Sequence, residues 1–121
     1  MQSITIEGIE HRKIPGYENY FISIAGRIFS EKTFGKFSKK KRNSFIHTRL
    51  IDGFAAVSLY RNGKAVTERV HRLLAITFLP PEHKKKYVVF KNGIKSDIRI
   101  ENIEWSYSKR EGSYGEEKNT I

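Results

Sequence analysis

The sequence predicts an α+β protein built from short antiparallel strands and one short helix. Three observations lead to this fold class. Stretches of alternating, strand-forming residues are separated by frequent turn signals. The pair Asn62-Gly63, a strong hairpin signal, lies between two of these stretches. Only residues 70–78 combine an apolar face with good helix formers, and Pro80 and Pro81 follow them directly.

The first half of the chain is predicted to be an N-terminal antiparallel β module. Residues 3–7 alternate in polarity and form a first strand, and residues 14–17 form a turn. Residues 20–25 and 27–31 are rich in strand formers on either side of a glycine, which predicts a hairpin. Residues 34–37 continue as a strand into a basic loop, which contains Lys39, Lys40, Lys41 and Arg42.

The second half is predicted to supply a second hairpin, the helix and a final pair of strands. Residues 54–60 and 65–70 flank the first Asn-Gly turn as paired strands. After the helix, residues 87–90 and 100–105 form a ββ hairpin around a second Asn-Gly turn. Residues 108–121 contain two glycines and almost nothing apolar, so we expect a flexible tail.

Charge is distributed unevenly and points to nucleic acid as a partner. Residues 1–50 and residues 51–100 each carry ten lysines and arginines against four acids, whereas residues 101–121 carry three against five. The body of the chain is therefore strongly basic and its end is slightly acidic. Basic surfaces bind nucleic acid because neutralising phosphates releases condensed counterions. We expect double-stranded DNA to be the main partner.

Other classes of protein fit the composition poorly. No apolar run approaches the ~20 residues that cross a bilayer, and no basic amphipathic helix suits a membrane surface. The first ten residues lack the pattern of a secretory signal. The chain has no cysteine, which excludes disulfides and thiolate metal sites.

Two motifs resemble a known family. Residues 14–20 (IPGYENY), with Ile22-Ser23 and residues 26–30 (GRIFS), resemble the nuclease-associated modular DNA-binding motif, or NUMOD motif, that is commonly fused ahead of HNH domains. Family members usually have a tryptophan where His11 stands. Residues 70–80 (VHRLLAITFLP), residues 92–97 (NGIKSD) and residues 99–105 (RIENIEW) resemble the HNH domain of phage and mobile-intron homing endonucleases.

The resemblance implies a division of the chain. It covers roughly residues 10–107. Residues 1–69 would be a NUMOD-like, β-rich DNA-binding module, residues 70–107 a degenerate HNH module of the ββα-metal type, and residues 108–121 a flexible tail. We expect one compact unit, in the cytoplasm of a bacterial host cell.

The resemblance also implies that the catalytic residues are missing. In the family a histidine activates water, and its neighbour helps to hold a divalent metal. The second Asn-Gly turn aligns these positions with Phe90 and Val89, and neither side chain can accept a proton or bind Mg²⁺. Ile98 replaces a further polar residue, while Asp97 and Asn102 are retained. We therefore expect no catalytic residues, no metal and no cofactor.

Candidate nucleic-acid contacts come from charge and from the hairpin tip. Arginine and asparagine at a hairpin tip can read base edges, and lysines and arginines around the former catalytic cleft can contact phosphates. The candidates are Arg27, Lys39, Lys40, Lys41, Arg42, Arg61, Asn62, Lys64, Arg72, Lys91, Lys95 and Arg99.

Three functions stay open at this point. The first is a catalytically inactive homing-endonuclease derivative that binds DNA, as a regulator encoded by a phage or a mobile element. The second is a phage protein that binds and inhibits a host nucleic-acid enzyme. The third is an active nuclease that uses Mg²⁺ with substitute groups, for which the candidates are His71, His83, Asp97 and Glu104.

Overall fold

The N-terminal part of the chain forms a five-stranded antiparallel sheet in sequence order. A computed structural model of the protein describes residues 2–33, 41–82 and 84–108, without the side chains of residues 32, 33 and 41–44. The five strands are β1 (Ser3–Ile6), β2 (Ile9–Lys13), β3 (Tyr20–Ile22), β4 (Ile28–Thr33) and β5 (Lys41–Phe45). The predicted first strand and the predicted hairpin of β3 and β4 are confirmed.

Two features of this sheet differ from the prediction. Strand β2 was not predicted. Only His11 among its five residues is fully buried, so the strand has no alternation of polarity that would indicate it. The assignment of Lys41 and Arg42 to a loop was wrong, since they begin β5 and pair with Thr33 and Lys32. A run of cations has no alternation of polarity, so only pairing with β4 defines this strand. The predicted strand at 34–37, with Lys39 and Lys40, lies outside the described residues.

A second sheet contains β6 (Arg49–Ile51), β7 (Phe54–Arg61) and β8 (Lys64–Arg69). The turn between β7 and β8 has positive φ at Asn62 and Gly63, 55° and 78°, as a two-residue hairpin of type I′ requires. Asp52 and Gly53 have the same geometry between β6 and β7, with φ of 53° and 82°. This Asp-Gly pair is also a hairpin signal, and it was available in the sequence to predict β6.

The predicted helix is confirmed as α1 (Val70–Phe78). Beyond it, β9 (Tyr87–Phe90) pairs with β10 (Ile103–Ser106), and a short 3₁₀ turn (Ile100–Asn102) precedes β10. The last strand therefore begins three residues later than predicted. The structure is mostly sheet with one α-helix in its described part, which confirms the α+β class.

One hydrophobic core joins these elements. Its fully buried members come from the N-terminal sheet, from β7, from α1 and from the last hairpin, and include Ile22, Leu59, Leu74 and Phe90. Trp105 is half-buried and packs against this core. In the described residues, no helix is long and apolar enough to cross a membrane.

Candidate nucleic-acid interface

The hairpin of β9 and β10 turns its two key side chains into the core. Val89 and Phe90 are only 1% and 2% exposed. Phe90 lies opposite Ile103 in the hairpin, and its ring centroid is 4.7 Å from that of His71 and 6.2 Å from that of Phe54. Both positions are therefore filled by apolar side chains that solvent and substrate do not reach.

His71 is part of the same aromatic cluster. It lies in the first turn of α1, where its ring stacks on the Phe54 ring at a centroid distance of 5.2 Å and contacts the Phe90 ring at 4.7 Å. The pKa of His71 is lowered to about 4, chiefly by burial and also by the nearby charges of Arg69 and Arg72, while a hydrogen bond with the backbone of Val88 acts to raise it. His71 is thus neutral near pH 7, and it packs the helix start.

The loop after β9 is held by a closed hydrogen-bond network. Asn102 accepts a hydrogen bond from the backbone N–H of Asn92 at 3.1 Å and donates to the carbonyl of Asp97 at 2.9 Å. The Asp97 carboxylate accepts from Arg99 at 2.7 and 2.9 Å and from the Asn92 amide at 2.8 Å. These bonds, that of Arg99 foremost, lower the pKa of Asp97 to about 2. The retained Asp97 and Asn102 therefore both serve to shape the loop.

Ile98 connects this loop with the N-terminal sheet. A Cβ atom on Gly26 would lie 3.1 Å from Ile98 Cγ2 and 3.1 Å from Val70 Cγ1, so the turn between β3 and β4 packs directly on both side chains. Gly26 also has a φ of 86°, which side chains rarely adopt. Ile98 thus forms an apolar contact where the family resemblance implies a polar residue.

The acids and histidines proposed as substitute metal ligands are not brought together. Within residues 2–33, 41–82 and 84–108, no group of three or more His, Asp and Glu side chains could hold a metal ion. His71 is enclosed by rings, and Asp97 is bound to Arg99. His83 lies outside the described residues.

Several of the predicted nucleic-acid contacts have partners within the protein. Arg27 pairs with Glu7 at 3.0 Å and lies 3.8 Å from the centre of the Phe45 ring. Arg72 donates to the carbonyl of Lys86, and Lys95 donates to that of Asp52. The remaining partnered candidates are Arg61, which lies over Tyr17, and Arg99, which is bound to Asp97.

Three other candidates are exposed at the turns of the two C-terminal hairpins. Asn62 and Lys64 lie at the tip of the β7–β8 hairpin, beside the exposed Arg61. Lys91 follows β9 directly and is also exposed. The structure therefore places an exposed lysine at each of the two turns. Lys64 and Lys91 are about twenty-seven residues apart in sequence, and both hairpins contribute to the same core.

Sequence reasoning missed two arginines on the open face of the second sheet. Arg49 donates to the Ser58 hydroxyl at 3.0 Å and to the Thr67 hydroxyl at 3.4 Å. Arg69 lies 3.8 Å from an Asp52 carboxylate oxygen and 4.4 Å from the centre of the Phe54 ring. The Asp52-Gly53 turn signal would have set the strand register and placed both on one face.

Comparisons with known proteins agree with this architecture. Residues 68–112 match the family model described as HNH endonuclease. The chain is 32% identical over 102 residues to the DNA endonuclease I-HmuI of Bacillus phage SP01, covering 84% of this chain and 54% of that protein. It is 30% identical over 111 residues to an uncharacterized HNH endonuclease, L247, of Acanthamoeba polyphaga mimivirus, covering 89% of this chain and 26% of that protein.

A solved structure shows the same relationship in three dimensions. It is described as DNA binding and cleavage by the HNH homing endonuclease I-HmuI. It matches with a TM-score of 0.63 at 30% sequence identity, covering 80% of this chain and 52% of that one. The chain thus spans about half the length of I-HmuI, and about a quarter of the mimivirus protein.

Proposed function

We propose that the chain, which is similar to the HNH endonucleases and to the phage homing endonuclease I-HmuI, is a relative of that family that binds double-stranded DNA without cutting it. The proposed role is that of a regulator encoded by a phage or a mobile element, acting in the cytoplasm of a bacterial host. Residues 1–69 would serve as the DNA-binding module and residues 70–107 as a degenerate HNH module.

One observation carries the proposed loss of cleavage. The hairpin positions that the family resemblance assigns to the general base and to its metal-binding neighbour are Phe90 and Val89, and both are buried in the core. Neither side chain can accept a proton or bind a hard cation. The buried His71 ring next to them packs against the rings of Phe54 and Phe90, which leaves it poorly placed to activate water.

DNA binding is supported by charge and by kinship. The net charge of +10 is carried by the body of the chain, and exposed cations lie at the turns of two hairpins. I-HmuI is named as a DNA endonuclease, and its structure is described as one of DNA binding and cleavage. A protein that keeps such a fold and such charge retains an electrostatic affinity for phosphates.

The test combines a binding assay with a nicking assay on the same protein. In a gel shift at ~50 mM salt we expect duplex DNA to be bound, with an affinity that falls steeply as salt rises. Supercoiled plasmid incubated in Mg²⁺ or Mn²⁺ should stay intact. Nicking that EDTA and His71→Ala both abolish would contradict the proposal and establish a nuclease with substitute groups. A lack of duplex binding would contradict the other part of the proposal, that the chain binds DNA.

A further inference from the structure

The second sheet has one face in the core and one face open. Antiparallel pairing places Arg49 opposite Ala56 and Ala56 opposite Arg69. In the next row on the same face, Ser58 lies opposite Thr67. Val57 and Leu59 alternate with these residues and are fully buried in the core. We call the open surface formed by Arg49, Ser58, Thr67 and Arg69 the Arg49 face.

The hydrogen bonds on the Arg49 face leave a surplus of donors. The Arg49 guanidinium has five N–H groups, and two of them are directed at the hydroxyls of Ser58 and Thr67. Both hydroxyls accept these bonds, so each keeps its own O–H for another acceptor. The three side chains together therefore present an array of N–H and O–H donors on one face of the sheet.

The charges around this array also favour an acceptor from outside. Within the described part of the chain, the bonds of Arg49 go to these hydroxyls and not to a carboxylate. The acid of this face is Asp52, which lies at the turn and is 3.8 Å from Arg69. Arg69 and Lys95 both lie over the ring of Phe54, which adds two positive charges at the same end of the sheet.

We propose that the Arg49 face is a DNA-contact site in which Arg49, oriented by Ser58 and Thr67, binds acceptor atoms of duplex DNA. This inference rests on the proposed function. Phosphate oxygens and the O6 and N7 atoms of guanine are both acceptor sites that match a guanidinium.

The experiment compares Arg49→Ala with Lys85→Ala in salt titrations of duplex binding. Lys85 is the control, since it lies outside the proposed DNA-binding module and pairs with Glu82 at 2.7 Å. We expect Arg49→Ala to weaken binding about tenfold or more and Lys85→Ala to change it less than twofold. Circular dichroism verifies folding, and Arg49→Gln, which keeps a donor but removes the charge, replaces the alanine variant if that one fails to fold.

Two DNA probes distinguish the sources of the acceptor. If Arg49 binds phosphate, the loss is equal on a mixed-sequence duplex and on an alternating A·T duplex, and the salt slope falls by about one. If it reads guanine, the loss appears only on the mixed-sequence duplex. An Arg49→Ala protein that binds both probes like the wild type overturns the inference. If the wild type itself binds neither probe, the proposed function fails instead.

Discussion

Two hairpins of this protein contain the same turn dipeptide, Asn-Gly, but place it in different surroundings. In the β7–β8 hairpin, Asn62-Gly63 is a two-residue turn, and the Asn62 side chain is exposed to solvent. In the β9–β10 hairpin, Asn92-Gly93 begins a long loop, and the Asn92 side chain binds Ile94, Asp97 and Asn102. The first hairpin presents its cations outwards, whereas the second turns Phe90 into the core. An Asn-Gly pair thus predicts a turn, but the residues that contact the hairpin in the folded protein determine which of its side chains are exposed.

The largest expected effect is on the buried hairpin. Phe90→Ala removes a ring that contacts His71 and Phe54 and should lower the free energy of unfolding by about 3–5 kcal/mol, because it leaves a cavity in the core. Urea unfolding followed by circular dichroism measures this. Leu50→Ala is the control, since Leu50 is 75% exposed, and we expect a change within about 0.5 kcal/mol. Equal effects for the two variants would show that the hairpin is not part of the core.

The aromatic cluster predicts a dependence of stability on pH. The folded pKa of His71, about 4, lies below the ordinary value of 6.5. Between these values the unfolded chain binds a proton that the folded chain excludes, so the stabilisation is complete above pH 6.5 and is lost as pH falls towards 4. We expect about 2–3 kcal/mol of loss across this window. Urea unfolding at a series of pH values measures it, and His71→Gln should remove most of the slope.

The loop network should cost less to disrupt. Asn102→Ala removes the bonds to Asn92 and Asp97 and should lower the free energy of unfolding by about 1–3 kcal/mol, because buried polar groups lose their partners. Asn62→Asp in the other hairpin is the control, since aspartate also tolerates positive φ. A destabilisation by Asn62→Asp as large as that by Asn102→Ala would remove the distinction between the two turns.

The smallest effects are expected at the exposed cations. Lys64→Ala and Lys91→Ala should each change stability by less than about 0.5 kcal/mol, while each lowers the salt slope of duplex binding by about one if it contacts a phosphate. Fluorescence anisotropy with labelled duplex measures the slopes. A reduced slope for Lys64→Ala alone would assign DNA contact to the β7–β8 hairpin and exclude a phosphate contact by Lys91 at the turn after β9. Unchanged slopes for both variants would contradict contact at either turn.

Local signals were sufficient where the residues that specify an element are neighbours in sequence. The helix at 70–78 was predicted to the residue, because its apolar face and the prolines that follow it are neighbours. The β7–β8 turn was predicted for the same reason. Strand β2 was not predictable in this way, since it buries one histidine among charged residues. The first two residues of β5, Lys41 and Arg42, are predicted to lie in a loop because they continue a run of cations, and only the partner strand defines β5.

The sequence predicted which residue types occupy the candidate site, but not the contacts that they make. The sequence alone determined that Phe90 and Val89 occupy the hairpin positions that the family resemblance assigns to catalysis, and that the chain carries a net charge of +10. Tertiary structure decided that the His71 ring packs against the rings of Phe54 and Phe90, where its pKa falls to about 4. It also decided that Arg49 meets two hydroxyls from neighbouring strands. Residue type is local information, whereas burial and hydrogen-bond partners depend on segments that only folding brings together.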